Sequence, residues 1–241
     1  MAEQEVNFKV FRYKQGDAAP HYETFTVSVD KNMTVLVALQ TIRFAQDPTL
    51  ALRHSCHHAA CGTCGMRVNG QEVLACVTNV LDLGTSTVVV EPLQNIPLIS
   101  DIVVDMGHFM DRYNLAGMPY KRRSDFLPEA AIPAGIDHYE RYENCIECGI
   151  CVSACPVAGS DPMYLGPAAM AAGWRVVEEP RGEDAAAVLD WVDQDHGCWR
   201  CHVAYECSEA CPSDVDPAGS IMNLRNQLTK RKIGRLFGRG D

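Results

Sequence analysis

The sequence predicts an α+β chain of two domains: a small mixed sheet with one helix, then a mainly helical half. Three observations carry this expectation. Apolar residues alternate with polar ones on both sides of one amphipathic stretch in the first hundred residues. Alanine-rich segments with helical composition fill the second half. Cysteines fall into one group in the first half and two runs in the second, with different spacings.

Val6, Phe8 and Val10 alternate with polar neighbours, and Phe25, Val27 and Val29 do the same within Tyr22–Val29, so two strands are expected. Gln15, Gly16 and Asp17 form a turn signal between them. Thr34 to Ala45 has helical spacing, with Asn32 or Thr34 as cap and Asp47-Pro48 as terminator. Arg67 to Leu74 is expected to fold as a hairpin around Asn69-Gly70, and Thr87 to Glu91 as a strand closed by Pro92. This order of strand, strand, helix, loop and strands is that of a β-grasp domain, placed at 1–103. A helix is expected from Pro97 through Tyr113, with Ile102, Val103, Met106, Phe109 and Met110 as its apolar face. A surface loop is expected at Tyr120–Pro133. His138–Tyr142 leads into the first cysteine run, and Ala168–Trp174 and Ala185–Trp191 are helical by composition. They place a mainly α-helical domain at 104–241.

Cys56, Cys61, Cys64 and Cys76 follow C-x4-C-x2-C…C, the plant-type ferredoxin spacing for a [2Fe–2S] cluster. Small residues between them let backbone N–H groups turn toward sulfur. Zinc usually pairs its cysteines as two C-x2-C units, and only one is present here. His57 and His58 read as loop residues rather than Rieske-type ligands, because four cysteines already satisfy the cluster.

Cys145, Cys148, Cys151 and Cys155-Pro156 follow C-x2-C-x2-C-x3-C-P, the bacterial pattern whose fourth cysteine ligates the other cluster of a pair. Cys201, Cys207 and Cys211-Pro212 repeat it with Ala204 in place of the second cysteine. By this pseudo-symmetry Cys145, Cys148, Cys151 and Cys211 hold [4Fe–4S]. Cys155, Cys201 and Cys207 hold [3Fe–4S], whose missing iron matches the missing thiol. Cys198 reads as a small buried hydrophobe, and the alternative is a fourth ligand completing a second [4Fe–4S].

Twelve cysteines without a secretion signal after Met1 favour metal ligation over disulfides. A net charge of −10 argues against a nucleic-acid partner. Arg225, Lys230, Arg231, Lys232, Arg235 and Arg239 make the C-terminal stretch basic, which reads either as a solvated terminus or, more sharply, as a contact with a membrane surface or membrane subunit. No stretch has the roughly 18 apolar residues of a span. No G-x-G-x-x-G is present, so the chain carries no dinucleotide fingerprint.

With all three sets placed, the chain resembles the iron–sulfur subunit of succinate dehydrogenase and fumarate reductase along nearly its whole length. Smaller stretches agree: Ser100 to Met106, Leu165 to Ala168, and Tyr205 to Pro212 with Val215 to Pro217. The resemblance implies an electron relay running from FAD of a flavoprotein subunit through [2Fe–2S], [4Fe–4S] and [3Fe–4S] to quinone. The quinone would lie in a membrane anchor, often with haem b, and the chain peripherally on the cytoplasmic side of the membrane. It also places Pro156, Ser160, His202 and Arg225 near the quinone. The stretch after Pro156 lacks the tryptophan common in the family, Arg225 stands where lysine is common, and His57 where arginine is common. The runner-up reading is a soluble or thiol-linked fumarate reductase, whose Cys-Cys-Gly modules are missing before Asp241. A redox-inactive zinc adaptor is the third.

Overall fold

A computed structural model of the chain describes residues 4–115, 131–180, 182 and 185–238. Residues 120–130 of the expected surface loop lie outside these. Contacts divide the chain into two compact units, Met1–Met106 with Ile146–Ser153, and Gly107–Cys145 with Ala154–Asp241.

In the first unit β1 (Gln4–Arg12), β2 (His21–Val29), β3 (Gly65–Val68), β4 (Gln71–Leu74) and β5 (Thr87–Glu91) form one mixed sheet in the order β2-β1-β5-β3-β4. β1 pairs antiparallel with β2 but parallel with β5, so the chain must cross over between them. α1 (Val35–Ala45) lies on that crossover. Its Val35, Leu36, Ala38, Leu39 and Ile42 are fully buried, together with Val6, Phe8 and Val10 of β1. Each large apolar side chain so buried contributes about 1.5–3 kcal/mol. The Thr34 hydroxyl accepts from the Val37 N–H at 3.3 Å and starts the helix. Asn69 (φ 51) and Gly70 (φ 83) turn β3 into β4 with the two left-handed residues of a tight hairpin.

The helix expected from Pro97 to Tyr113 is shorter than its apolar spacing suggests. β6 (Leu98–Ser100) and β7 (Val103–Val104) form a small hairpin first, and the helix runs only over Gly107–Leu115. The cause is Asp101, fully buried with φ 46 at the hairpin turn. Its carboxylate accepts from the N–H groups of Ala51 (2.7 Å) and Tyr13 (3.0 Å), from Lys14 and from Arg12 Nε (3.3 Å). Arg12, itself buried, also pairs with Glu23 and Asp47. An aspartate committed to such distant partners cannot continue a helix.

Burial alone would raise the Asp101 pKa. The Ala51 N–H, the Lys14 ammonium, the Tyr13 N–H and the Arg12 charge overturn this and hold it below the ordinary 3.8. A depressed carboxylate stabilises the fold above its unfolded pKa, and the contribution disappears as pH falls through the folded value. Asp101→Asn is expected to cost on the order of 3 kcal/mol at pH 7, because it leaves buried cations short of a partner. The wild-type advantage in denaturant midpoint, followed by far-ultraviolet circular dichroism, should shrink below about pH 4.

Ile146–Ser153 joins the first unit through polar contacts. Ser153 Oγ accepts from the Gln94 N–H (2.8 Å) and donates to Glu72 (3.0 Å). The Asn95 amide donates to the carbonyls of Val152 and Ser153 (both 3.0 Å).

The second unit is helical. Pro167–Glu178 packs against Ala185–Val192 and Pro217–Leu236 over a core that includes Met170, Trp174, Val188, Val192, Ile221, Leu224 and Leu228. A Cβ at Gly173 would meet Val188 and Trp191 at 3.2 and 3.3 Å, so glycine lets two of these helices close up. Cys155-Pro156 opens the short helix Pro156–Ser160 with proline in its first turn, as the C-P pattern suggests. Asp216 caps the long C-terminal helix by accepting from the Gly219 N–H at 3.0 Å.

Candidate iron–sulfur sites

Cys56, Cys61 and Cys64 lie on the connection between α1 and β3, and Cys76 follows β4. The loop turns through His57 (φ 62), Ala59 (φ 61) and Gly62 (φ 68). Left-handed angles at two non-glycine residues are strained, and here they aim N–H groups at sulfur. Cys56 Sγ accepts from His58 (3.4 Å) and Ala60 (3.3 Å), and Cys76 Sγ from Ala59 (3.3 Å). The Thr63 side chain, then backbone hydrogen bonds of Cys56 and Thr63, pull the Cys61 thiol down to about 6. Burial pushes Cys64 up, and it also feels the Cys76 and Cys61 sulfurs. The four thiols are therefore near neighbours inside one ring of donors, a setting that stabilises an anionic cluster.

A pocket in the second unit brings Cys155, Cys201 and Cys207 together with Ala204 on its wall. Pro156, Tyr164 and His202 also line it. Burial raises the thiols of Cys155 and Cys207, the latter to about 12; Cys201 adds to both shifts and Cys155 to that of Cys207. Thiols that resist ionisation alone are suited to ligating iron, whose charge removes the proton. Val203 (φ 60) and Tyr205 (φ 64) flank Ala204 as Glu147 (φ 54) and Gly149 (φ 81) flank Cys148. The two runs thus share one backbone turn, which explains why they share one spacing. The Val203 N–H donates to Cys201 Sγ at 3.3 Å.

Cys148 and Cys151 lie within Ile146–Ser153, whereas Cys145 and Cys211 belong to the second unit. Cys198 is fully buried in the second core, and burial raises its thiol to about 11. Among the described residues no three His, Cys, Asp or Glu side chains converge on one metal-ion position. Cysteines around a multi-iron cluster stand further apart than the ligands of a single ion.

Of the residues assigned near the quinone, Pro156 and His202 reach the pocket. Ser160 donates to the Val157 carbonyl at 3.1 Å. Arg225 donates to the carbonyls of Cys198 (2.7 Å) and Cys201 (2.6 Å) and lies over the Trp199 ring. Tyr164 was not anticipated. Its one sequence signal is its place before Leu165-Gly166-Pro167.

A β-grasp unit with a four-cysteine loop, followed by a helical unit carrying a doubled cysteine run, defines an iron–sulfur electron carrier. Residues 7–111 match the 2Fe-2S iron-sulfur cluster binding domain, and residues 141–215 the 4Fe-4S dicluster domain. The chain is 38% identical to the fumarate reductase iron-sulfur subunit of Mycobacterium tuberculosis, with 95% of each covered. It is 32% identical to the succinate dehydrogenase iron-sulfur subunit of Coxiella burnetii, covering 92% of this chain and 97% of that one. A chain of the Mycobacterium smegmatis Sdh1 complex in the apo form shares the fold, with a TM-score of 0.83, 22% identity, and 96% and 98% of the two chains covered. The chain belongs to the family of iron–sulfur subunits of fumarate reductase and succinate dehydrogenase.

Proposed function

We propose that the chain carries electrons between the FAD of a flavoprotein subunit and quinone in a membrane anchor, with or without haem b, in a succinate:quinone oxidoreductase. Three clusters, when bound, supply one-electron redox chemistry. Cys56, Cys61, Cys64 and Cys76 hold [2Fe–2S] in the domain at 1–103. In the domain at 104–241, Cys145, Cys148, Cys151 and Cys211 hold [4Fe–4S], and Cys155, Cys201 and Cys207 hold [3Fe–4S]. The carrying observation is the pocket that gathers three cysteines around Ala204. Pro156 and His202 on its wall are the better placed of the quinone candidates.

Among the described residues no helix is long and apolar enough to cross a membrane. The end of Pro217–Leu236 nevertheless exposes Ile233, Leu236 and Phe237 beside Lys230 and Arg235. Apolar and basic groups side by side suit docking on an anchor at the cytoplasmic membrane face. Electron paramagnetic resonance of the purified complex, as isolated and oxidised, tests the assignment. A [3Fe–4S] signal is expected before any reductant is added, and an oxidised complex containing only diamagnetic clusters contradicts it.

A further inference from the structure

Tyr164 is fully buried, and its hydroxyl, set toward the Cys201 thiol, makes no hydrogen bond of good geometry among the described residues. A buried hydroxyl left so is rare and calls for an explanation. Its ring lies on the wall of the pocket that gathers Cys155, Cys201 and Cys207. The residue is held firmly in place. Its N–H donates to the Asp161 carbonyl at 3.1 Å, and its own carbonyl accepts from Arg112 Nη1 at 2.6 Å. The next N–H, of Leu165, donates to the His196 carbonyl at 3.0 Å.

We propose that the Tyr164 hydroxyl donates a hydrogen bond to a sulfur of the cluster held by Cys155, Cys201 and Cys207, and so sets how readily that centre accepts an electron. This rests on the ligand assignment above. A phenol is protonated at neutral pH and cluster sulfurs only accept, so the hydroxyl is the donor of such a bond. Reduction adds negative charge to the cluster sulfurs. A fixed donor therefore favours the reduced form and raises the potential. The backbone N–H of Val203 already serves Cys201, and Tyr164 supplies a side-chain donor from another segment of the chain.

The test is a redox titration of the [3Fe–4S] resonance in the assembled complex. Tyr164→Phe should keep the signal and the iron content while making reduction about tenfold less favourable, about 59 mV lower for a one-electron couple. Site-specific 3-fluorotyrosine at 164, nearly the same shape but a stronger acid, should move the potential the other way. A packing role alone would not give opposite shifts. Potentials unmoved in the fluorotyrosine protein overturn the hydrogen bond even if the phenylalanine variant fails to assemble. A wild-type complex without the oxidised-state signal overturns the ligand assignment itself.

Discussion

Ala204→Cys should convert the three-cysteine centre into one that takes up a fourth iron. The backbone is already prepared for it. Ala204 lines the pocket with Cys155, Cys201 and Cys207, and its neighbours hold the left-handed angles that also flank Cys148. A sulfur added at this Cβ enters with no further turn of the chain. Iron per protein should rise by about one. The oxidised-state resonance should disappear after anaerobic incubation with ferrous iron and dithionite, which reduces the three-iron cluster so that it takes up Fe2+, and further reduction should give a [4Fe–4S] signal in its place. Cluster type and net charge are main determinants of potential across a range of roughly −700 to +450 mV. A fall on the order of 100 mV is therefore modest on that scale, and each 59 mV is about tenfold in a one-electron equilibrium. Reduction of a quinone acceptor should drop by one to two orders of magnitude. An oxidised-state resonance that persists unchanged, with unchanged iron, would show that Ala204 does not mark the vacant corner.

The cysteine spacings were legible because they record local backbone turns. Glu147 and Gly149 in one run, and Val203 and Tyr205 in the other, adopt the same left-handed angles around the middle position. Asn69-Gly70 was legible because its left-handed angles close the adjacent Val68–Gln71 pair, and the Thr34 cap because its partner, Val37, lies three residues on. What escaped depends on distant partners. Ile102, Val103, Met106, Phe109 and Met110 fit a helix by spacing alone, and short apolar runs are ambiguous in this way. Asp101 settles the conformation through residues 13 and 51, which no local pattern reveals. Ile146–Ser153 likewise joins the first unit through Glu72, Gln94 and Asn95. Arg225 shows the limit of transferring a role by position. Its guanidinium holds the carbonyls of Cys198 and Cys201, so its removal acts first on the ligand loop.

Gly62→Ala should disable the [2Fe–2S] loop, although it adds a single methyl group. Gly62 has φ +68, and a Cβ there would stand 2.7 Å from Cys148 Cβ, 2.7 Å from the Ile146 carbonyl oxygen and 2.9 Å from Cys148 Cα. Two of these atoms are backbone, so no side-chain rotation relieves the clash. The loop between Cys61 and Cys64 must move, and with it the N–H groups that face the sulfurs. Gly84 separates the two contributions. It has φ +62 with nothing within 4 Å of its would-be Cβ, so Gly84→Ala carries only the left-handed penalty of about 1 kcal/mol. Gly62→Ala adds an overpacking cost of about 1–3 kcal/mol. Iron content and the visible circular dichroism of the [2Fe–2S] centre should fall several-fold in Gly62→Ala and stay near wild type in Gly84→Ala. Equal cluster content in the two variants would mean that close packing against Cys148 is not what forms the loop. Because Cys148 is also a proposed [4Fe–4S] ligand, the same substitution should weaken magnetic coupling between the two reduced centres. That effect should be measurable in whatever fraction of Gly62→Ala retains both clusters, and it has no counterpart in Gly84→Ala.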